Sequence, residues 1–258
     1  MSILAVEKLT KQFGGLTAVS EIDLAIQKNE LVGLIGPNGA GKTTFFNLLT
    51  GVYKPTEGKI TMNVDGKSVS LVGKRTDQIA AAGVARTFQN IRLFKQLTVL
   101  DNVLIGLHKK NNIGTIRSIL RFPSFFKMED RLRKEALELL AIFDLEDSAD
   151  VLAENLPYGK QRRLEIVRAL ATKPALLFLD EPAAGMNPQE SAELTQLIKK
   201  IQMEFDLTVI LIEHDMSVVM NVCERIYVLE YGRLLAEGTP EEIRSNPDVL
   251  RAYLGEEH

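Results

Sequence analysis

The chain has 258 residues, enough for one large domain or a large domain with a smaller lobe, and too few for a tandem pair of nucleotide-binding units. A formal net charge of -3 gives no broad basic field for DNA or RNA, the N-terminal MSILAVEKLT lacks the features of a signal peptide, and no run approaches the roughly 18 apolar residues of a membrane span. The single cysteine, Cys223, excludes an internal disulfide, so the expectation is a small buried hydrophobe in a reduced, cytoplasmic chain that reaches a membrane only through a partner.

Along the chain, Ile22, Leu24 and Ile26 alternate with polar neighbours as on a half-buried strand, and Lys28-Asn29-Glu30 reads as the turn after it. The run LVGLI at 31–35 reads as a fully buried strand. It leads into Gly36-Pro37-Asn38-Gly39-Ala40-Gly41-Lys42-Thr43-Thr44, which satisfies G-x-x-x-x-G-K-[ST] with a helical pattern behind it. In such a loop the glycines let the backbone wrap around phosphates, and its N–H groups and the helix N-terminus face the anion. Lys42 would reach the β- and γ-phosphates, and Thr43 would ligate Mg²⁺. A glycine-rich turn with an ordinary lysine is the bland alternative.

Further on, Ala85-Arg86-Thr87-Phe88-Gln89 marks where sheet gives way to helix. Gln89 stands there as a candidate sensor of the γ-phosphate or metal, against the commoner polar surface residue. Residues 90–156 lose the buried-strand signal and predict an inserted helical lobe, with helices over 99–109, behind Thr98 and Asp101, and over 128–143. Within it, IGTIRSILRFPSFFKM at 113–128 offers either a docking surface or the apolar closure of the lobe.

The stretch LPYGKQRR at 156–163 sets a proline, an aromatic and a glycine before a helix that opens with Lys160, Arg162 and Arg163. Helix starts ordinarily favour acids, because the macrodipole is positive there, so cations at that end suggest an expected anion. A turn plus a solvated basic helix is the plain alternative. Next come two more buried runs, ALLFL at 175–179 and TVILI at 208–212. Asp180 and Glu181 follow the first, beside the phosphate loop if the strands are neighbours; Asp180 suits Mg²⁺ binding and Glu181 suits polarising an attacking water. His214 follows the second, where it would hydrogen-bond the γ-phosphate at the same sheet edge. A hairpin about Tyr231-Gly232 and a helix begun by Thr239-Pro240-Glu241-Glu242 close the chain, with 239–258 a helical tail. Buried strands alternating with helices predict an α/β fold with a mostly parallel core sheet.

Taken in order, GPNGAGKTT, Gln89, LPYGKQRRLEIVRAL, LLFLDEP and His214 resemble the ATP-binding subunits of ABC transporters along essentially the whole chain. ARTFQNIRLF, DEPAAGMNP, IEHDM and NPDVLRAYLGEE look further like the branched-chain amino acid importer ATPases of the LivG type. The resemblance implies a P-loop NTPase of the ABC ATPase type, with an antiparallel β part beside the parallel core sheet and the helical lobe inserted. It implies ATP and Mg²⁺ as cofactors, catalysis by Glu181, His214 and Gln89, and metal contacts from Thr43, Gln89 and Asp180. Two such subunits would face head to tail, each phosphate loop closing against Leu156, Pro157, Tyr158, Gly159 and Lys160 of the other. Expected partners are a second ABC ATPase, like or unlike, two membrane permeases docked near Gln89 and, through them, an extracytoplasmic solute-binding protein, with no nucleic acid. The expected location is peripheral, on the cytoplasmic face of the inner or plasma membrane.

Phe13 matches the position that stacks on adenine in the family, and a core aromatic at the end of the first strand is the even alternative. Departures from the family's LSGGQ pattern are Pro157 for the serine, Tyr158 for the first glycine and Lys160 for the glutamine. Proline supplies neither the hydroxyl nor a backbone N–H donor, and Asn187 stands where aspartate is often found, so two unequal composite sites are expected. Substrate identity lies mainly in other subunits. Urea or amide import and lipopolysaccharide export are therefore close alternatives, and a soluble ABC protein acting on ribosomes or DNA is a distant one.

Overall fold

The computed structural model describes residues 2–110, 123–214 and 216–254. Residues 113–122 of the docking segment read from the sequence lie outside the described residues, as do the last four positions of the tail. In chain order the elements are β1 (Ser2–Phe13), β2 (Leu16–Gln27), β3 (Leu31–Ile35), α1 (Lys42–Leu49), β4 (Glu57–Val64), β5 (Lys67–Ser70), α2 (Thr76–Ala81) and β6 (Val84–Arg86). Then follow α3 (Val99–Lys110), α4 (Pro123–Ile142), α5 (Tyr158–Ala171), β7 (Leu176–Asp180), α6 (Pro188–Glu204) and β8 (Thr208–Ile212). The last are α7 (Met216–Val222), β9 (Arg225–Glu230), β10 (Arg233–Gly238), α8 (Pro240–Ser245) and α9 (Pro247–Leu254).

The chain divides into two compact units, the first formed by Met1–Arg86, Ala175–Ala184 and Ser191–His258. It holds a four-stranded antiparallel sheet in the order β2-β1-β4-β5 and a six-stranded sheet in the order β10-β9-β3-β8-β7-β6. In the second sheet only the β9–β10 hairpin is antiparallel. β3, β7 and β8 are buried at every residue, as parallel strands covered on both faces must be, and this is why they read as unbroken Val/Ile/Leu/Phe runs. The core gathers Leu4, Ile22 and Ile26 of the antiparallel sheet, Phe45 and Phe46 of α1, and Phe178 of β7. Phe46 meets Phe178 edge to face at 4.8 Å between centroids. Cys223 is buried, and desolvation pushes its thiol far above the ordinary range, leaving it an inert apolar filler.

Register aligns the strand ends that matter. Leu34 of β3 and Asp180 of β7 both pair with Ile212 of β8, so the segments that follow these three strands leave the sheet at one edge. β8 lies between β3 and β7, so Asp180 is not on a strand adjacent to the phosphate loop as the sequence allowed.

The second unit comprises Thr87–Pro174 and Gly185–Glu190. It reaches further along the chain than the 90–156 span, because α5, with Leu164, Val167 and Leu170 buried, packs against α3 and α4. Thr98 caps α3: its hydroxyl accepts from Asp101 N at 3.0 Å and donates to Asp101 Oδ2 at 2.7 Å. Buried Asn102 ties down the preceding loop, donating to the carbonyls of Phe94 and Thr98 and accepting from Phe94 N.

Candidate functional site

Gly36 has φ 148°, and a Cβ there would sit 2.1 Å from Leu229 O. At Gly41, φ is 95° and a Cβ would lie 2.5 Å from Ala18 O. Any side chain at either point would push the loop off the hairpin and off β2, so the glycines are demanded by packing as well as by dihedral angle. The turn at Tyr231-Gly232 braces the loop from outside: Gly232 N donates to Ala40 O at 3.0 Å, and Gly232 O accepts from Ser20 N at 2.8 Å. Pro37 and Ala40 are buried while Asn38 and Gly39 form the exposed crest.

α1 begins directly behind Gly41, and Phe45 N closes its first turn on Gly41 O at 2.8 Å. Lys42 is only 6% exposed, with Nζ donating to Gly36 O at 2.5 Å and Pro37 O at 2.9 Å. The loop thus holds its own cation against two carbonyls. A phosphate in the loop would compete for that ammonium by offering an ionised acceptor in place of neutral carbonyls. Thr43 is exposed and Thr44 half-buried, in the first turn where amide N–H groups have no helical partner.

Asp180, at the end of β7, accepts from Arg86 Nη2 at 2.8 Å. Arg86 Nη1 donates in turn to Asn47 Oδ1 at 2.7 Å and Thr50 Oγ1 at 2.9 Å, both on or just behind α1. This arginine, not strand adjacency, connects Asp180 to the helix of the phosphate loop. Sequence reasoning gave Arg86 no role; a cation closing a short strand three residues before Gln89 was the available signal.

Glu181 adopts a left-handed φ of 47°, a conformation that costs a non-glycine residue roughly 1–3 kcal/mol unless its surroundings hold it. Its N–H donates to Ile212 O at 2.9 Å, and its carbonyl accepts from Ala184 N at 3.1 Å. Its Oε1 lies 2.6 Å from His214 Nε2. The two residues were read from the sequence separately; the structure joins them. Buried Glu213 supports the same turn by accepting from Ala183 N at 2.8 Å. Among the described residues no group of three or more His, Cys, Asp or Glu side chains forms a metal cage. Mg²⁺ commonly takes one or two protein carboxylates and completes its shell with phosphate oxygens and water, and the exposed Thr43 hydroxyl and Asp180 fit that demand.

Phe13 is 41% exposed, which removes the core-aromatic reading. Tyr53 meets its ring edge to face at 5.3 Å, and Lys11 Nζ lies 4.8 Å from its centroid.

Within the second unit, α5 starts at Tyr158, two residues earlier than the sequence suggested, because Pro157 with φ -54° and ψ 150° serves as the N-cap. Leu156 is buried, Tyr158 is 46% exposed, and Gly159 and Lys160 are half-buried. No acid occupies the first turn. Gln89 is exposed, and its carbonyl accepts from Arg162 Nη2 at 2.7 Å. Asn187 caps α6 reciprocally with Glu190: Oδ1 accepts from Glu190 N at 2.9 Å, and Asn187 N donates to Glu190 Oε2 at 3.0 Å. Asparagine caps a helix as well as aspartate does, which accounts for the residue at this position.

Family comparison matches residues 19–184 to the ABC transporter model and residues 233–258 to the branched-chain amino acid ATP-binding cassette transporter model. The chain is 49% identical to the high-affinity branched-chain amino acid transport ATP-binding protein LivG of Salmonella typhimurium, over 98% of each chain. It is 47% identical to BraF of Pseudomonas aeruginosa, which carries the same description, again over 98% of each. The lipopolysaccharide export ATP-binding protein LptB of Haemophilus influenzae is 34% identical across 100% of this chain and 99% of its own. Among solved structures, an ATP-binding cassette of an ABC transporter in its ADP conformation aligns with a TM-score of 0.83 at 30% identity, covering 99% of both chains. A dimeric cassette in a post-hydrolysis state with ADP and Pi aligns with a TM-score of 0.75 at 28% identity, covering 92% of this chain and 98% of its own. With a cassette fold, a phosphate loop braced at the sheet edge and close relatives along nearly its full length, the chain belongs to the ABC transporter family of ATP-binding cassettes.

Proposed function

We propose that this chain is the ATP-binding and hydrolysing subunit of an importer that drives branched-chain amino acids through partner membrane permeases. The observation that carries the cargo assignment is the 49% identity to LivG over 98% of both chains, against 34% to the lipopolysaccharide exporter LptB. No helix among the described residues is long and apolar enough to cross a membrane, which suits a peripheral subunit working with permeases and, through them, a solute-binding protein.

In this reading the loop amides and Lys42 hold the β- and γ-phosphates, with Thr43 and Asp180 holding Mg²⁺. The ion, when bound, neutralises phosphate charge and stabilises the leaving oxygens. Glu181, fixed by its strained backbone and by His214, polarises the attacking water; His214 also hydrogen-bonds the γ-phosphate. Gln89 reports the state of the phosphate and metal to the permease. Residues 156–160 approach the γ-phosphate of a second ABC ATPase subunit, where the helix N-terminus and Lys160 attract the anion at about 0.3–2 kcal/mol, so closure needs many contacts acting jointly.

Reconstitution in proteoliposomes with its permeases and binding protein tests the assignment. ATP-dependent leucine uptake is expected, and uptake of urea or an amide in place of leucine overturns the cargo. Gln89→Ala is expected to keep ATP binding while lowering leucine transported per ATP; an unchanged ratio removes Gln89 from the coupling path. Phe13→Ala is expected to weaken ATP binding by roughly 5- to 150-fold, the worth of one base stacked on an aromatic ring. Titration with a fluorescent ATP analogue checks it, and an unaltered affinity puts the adenine elsewhere.

A further inference from the structure

Arg162 and Glu165 lie in α5, one turn apart, with side chains only 0% and 1% exposed. Their charges are directed at the backbone of the Gln89 segment. Arg162 Nη1 donates to Phe88 O at 2.6 Å and Nη2 to Gln89 O at 2.7 Å. Glu165 Oε1 accepts from Arg92 N at 3.1 Å, and its Oε2 accepts from Arg162 Nη1 at 3.1 Å. The Arg92 guanidinium stacks over the Phe88 ring at 4.0 Å, closing the loop on itself.

A buried ion pair is a poor device for stability alone, since desolvating two charges costs about what their attraction returns and an apolar pair of similar volume often packs as well. What an apolar pair cannot do is fix backbone groups. Two carbonyls and one amide N–H of residues 88, 89 and 92 are held here by a guanidinium fork and a carboxylate whose geometry is planar and directional. Arg162 stands two positions after Lys160 on the same helix, so it moves with the residues assigned to the partner's γ-phosphate.

We infer that the Arg162–Glu165 pair is a positioning device that transmits displacement of the α5 N-terminus to Gln89, so that engagement of one subunit's nucleotide is felt at the other subunit's coupling glutamine. The inference rests on the roles proposed above for residues 156–160 and Gln89. Rigid transmission follows from the hydrogen bonds: Gln89 O is bonded to a side chain of the helix itself, and a shift of the first turn carries that carbonyl with it.

The test compares four forms of the reconstituted transporter: unaltered, Gln89→Ala, Arg162→Met with Glu165→Met, and all three substitutions together. For each, thermal melting, ATP affinity and leucine transported per ATP are measured. The apolar pair variant is expected to melt somewhat lower, because Phe88 O, Gln89 O and Arg92 N lose their side-chain partners, and to bind ATP normally, with transport per ATP lowered about 2- to 30-fold. Adding it to Gln89→Ala is expected to lower transport per ATP no further, because both changes cut one path. Normal coupling in the apolar pair variant, with Gln89→Ala impaired, overturns the inference alone. Independent, additive losses overturn it as well. Normal coupling in Gln89→Ala refutes the proposed role of Gln89 and this inference with it. Should the apolar pair unfold, Arg162→Lys decides: it keeps the charge but lacks the two-donor fork, so reduced transport per ATP supports the device and full coupling overturns it.

Discussion

Replacing Glu181 with glutamine is expected to lower ATP hydrolysis by about 10²- to 10⁴-fold while leaving ATP binding in place. Glutamine has nearly the volume of glutamate and can keep a hydrogen bond to His214, which in the present structure lies 2.6 Å from Glu181 Oε1. The left-handed turn at φ 47° and the Glu181 N–H to Ile212 O bond belong to the backbone and survive the change. What disappears is the negative charge proposed to polarise water. Phosphate release measures the rate, and size-exclusion chromatography with ATP should show the variant accumulating as a dimer. A rate within a few-fold of the unaltered protein would remove Glu181 from the chemistry. The same substitution also tests the proposal of two unequal composite sites. Pro157 offers no hydroxyl or N–H where the family carries serine, so the sites should contribute unequally. In an assembly with an unaltered partner ATPase, a rate cut to half would contradict strong asymmetry.

The second large effect is expected for Lys42→Ala, which should reduce nucleotide affinity by roughly 30- to 4,000-fold, the range for truncating one partner of a buried, hydrogen-bonded charge pair. Lys42 Nζ donates to Gly36 O and Pro37 O, and alanine withdraws both hydrogen bonds from a buried loop. A modest loss of thermal stability should therefore accompany the loss of binding. Isothermal titration with ATP and a melting curve without it separate the two effects. Unaltered ATP affinity together with a lowered melting temperature would reduce Lys42 to a structural loop residue.

Local patterns explain how much was readable in advance. The glycines at 36 and 41, the strand before them and the helix after them obey steric and dihedral rules that act within a few residues, so the phosphate loop was visible as a string. The same holds for the fully buried runs of β3, β7 and β8, whose apolar continuity already implied a covered parallel sheet. Thr239 is a further case: its hydroxyl accepts from Glu242 N at 3.3 Å, as the T-P-E-E spelling promised.

Other features depend on which distant segments meet, and no short-range rule encodes that. Exposure of Phe13 reflects where β1 ends relative to Tyr53, so the same residue was compatible with a core or a ligand platform until the sheet was in view. Asn187 looked like a departure from a motif, yet its capping bonds to Glu190 give it an ordinary structural task. The chain's own spelling determined the loop, the alternation of strands and helices, and which residue types were available for phosphate chemistry, because those follow from periodicity and local backbone freedom. Tertiary structure alone decided that β8 separates β3 from β7, that Arg86 spans the gap to Asp180, that Glu181 and His214 are partners, and that Arg162 and Glu165 grip the Gln89 backbone. Each of these is a meeting of groups 32 or more positions apart, fixed by sheet order and helix packing.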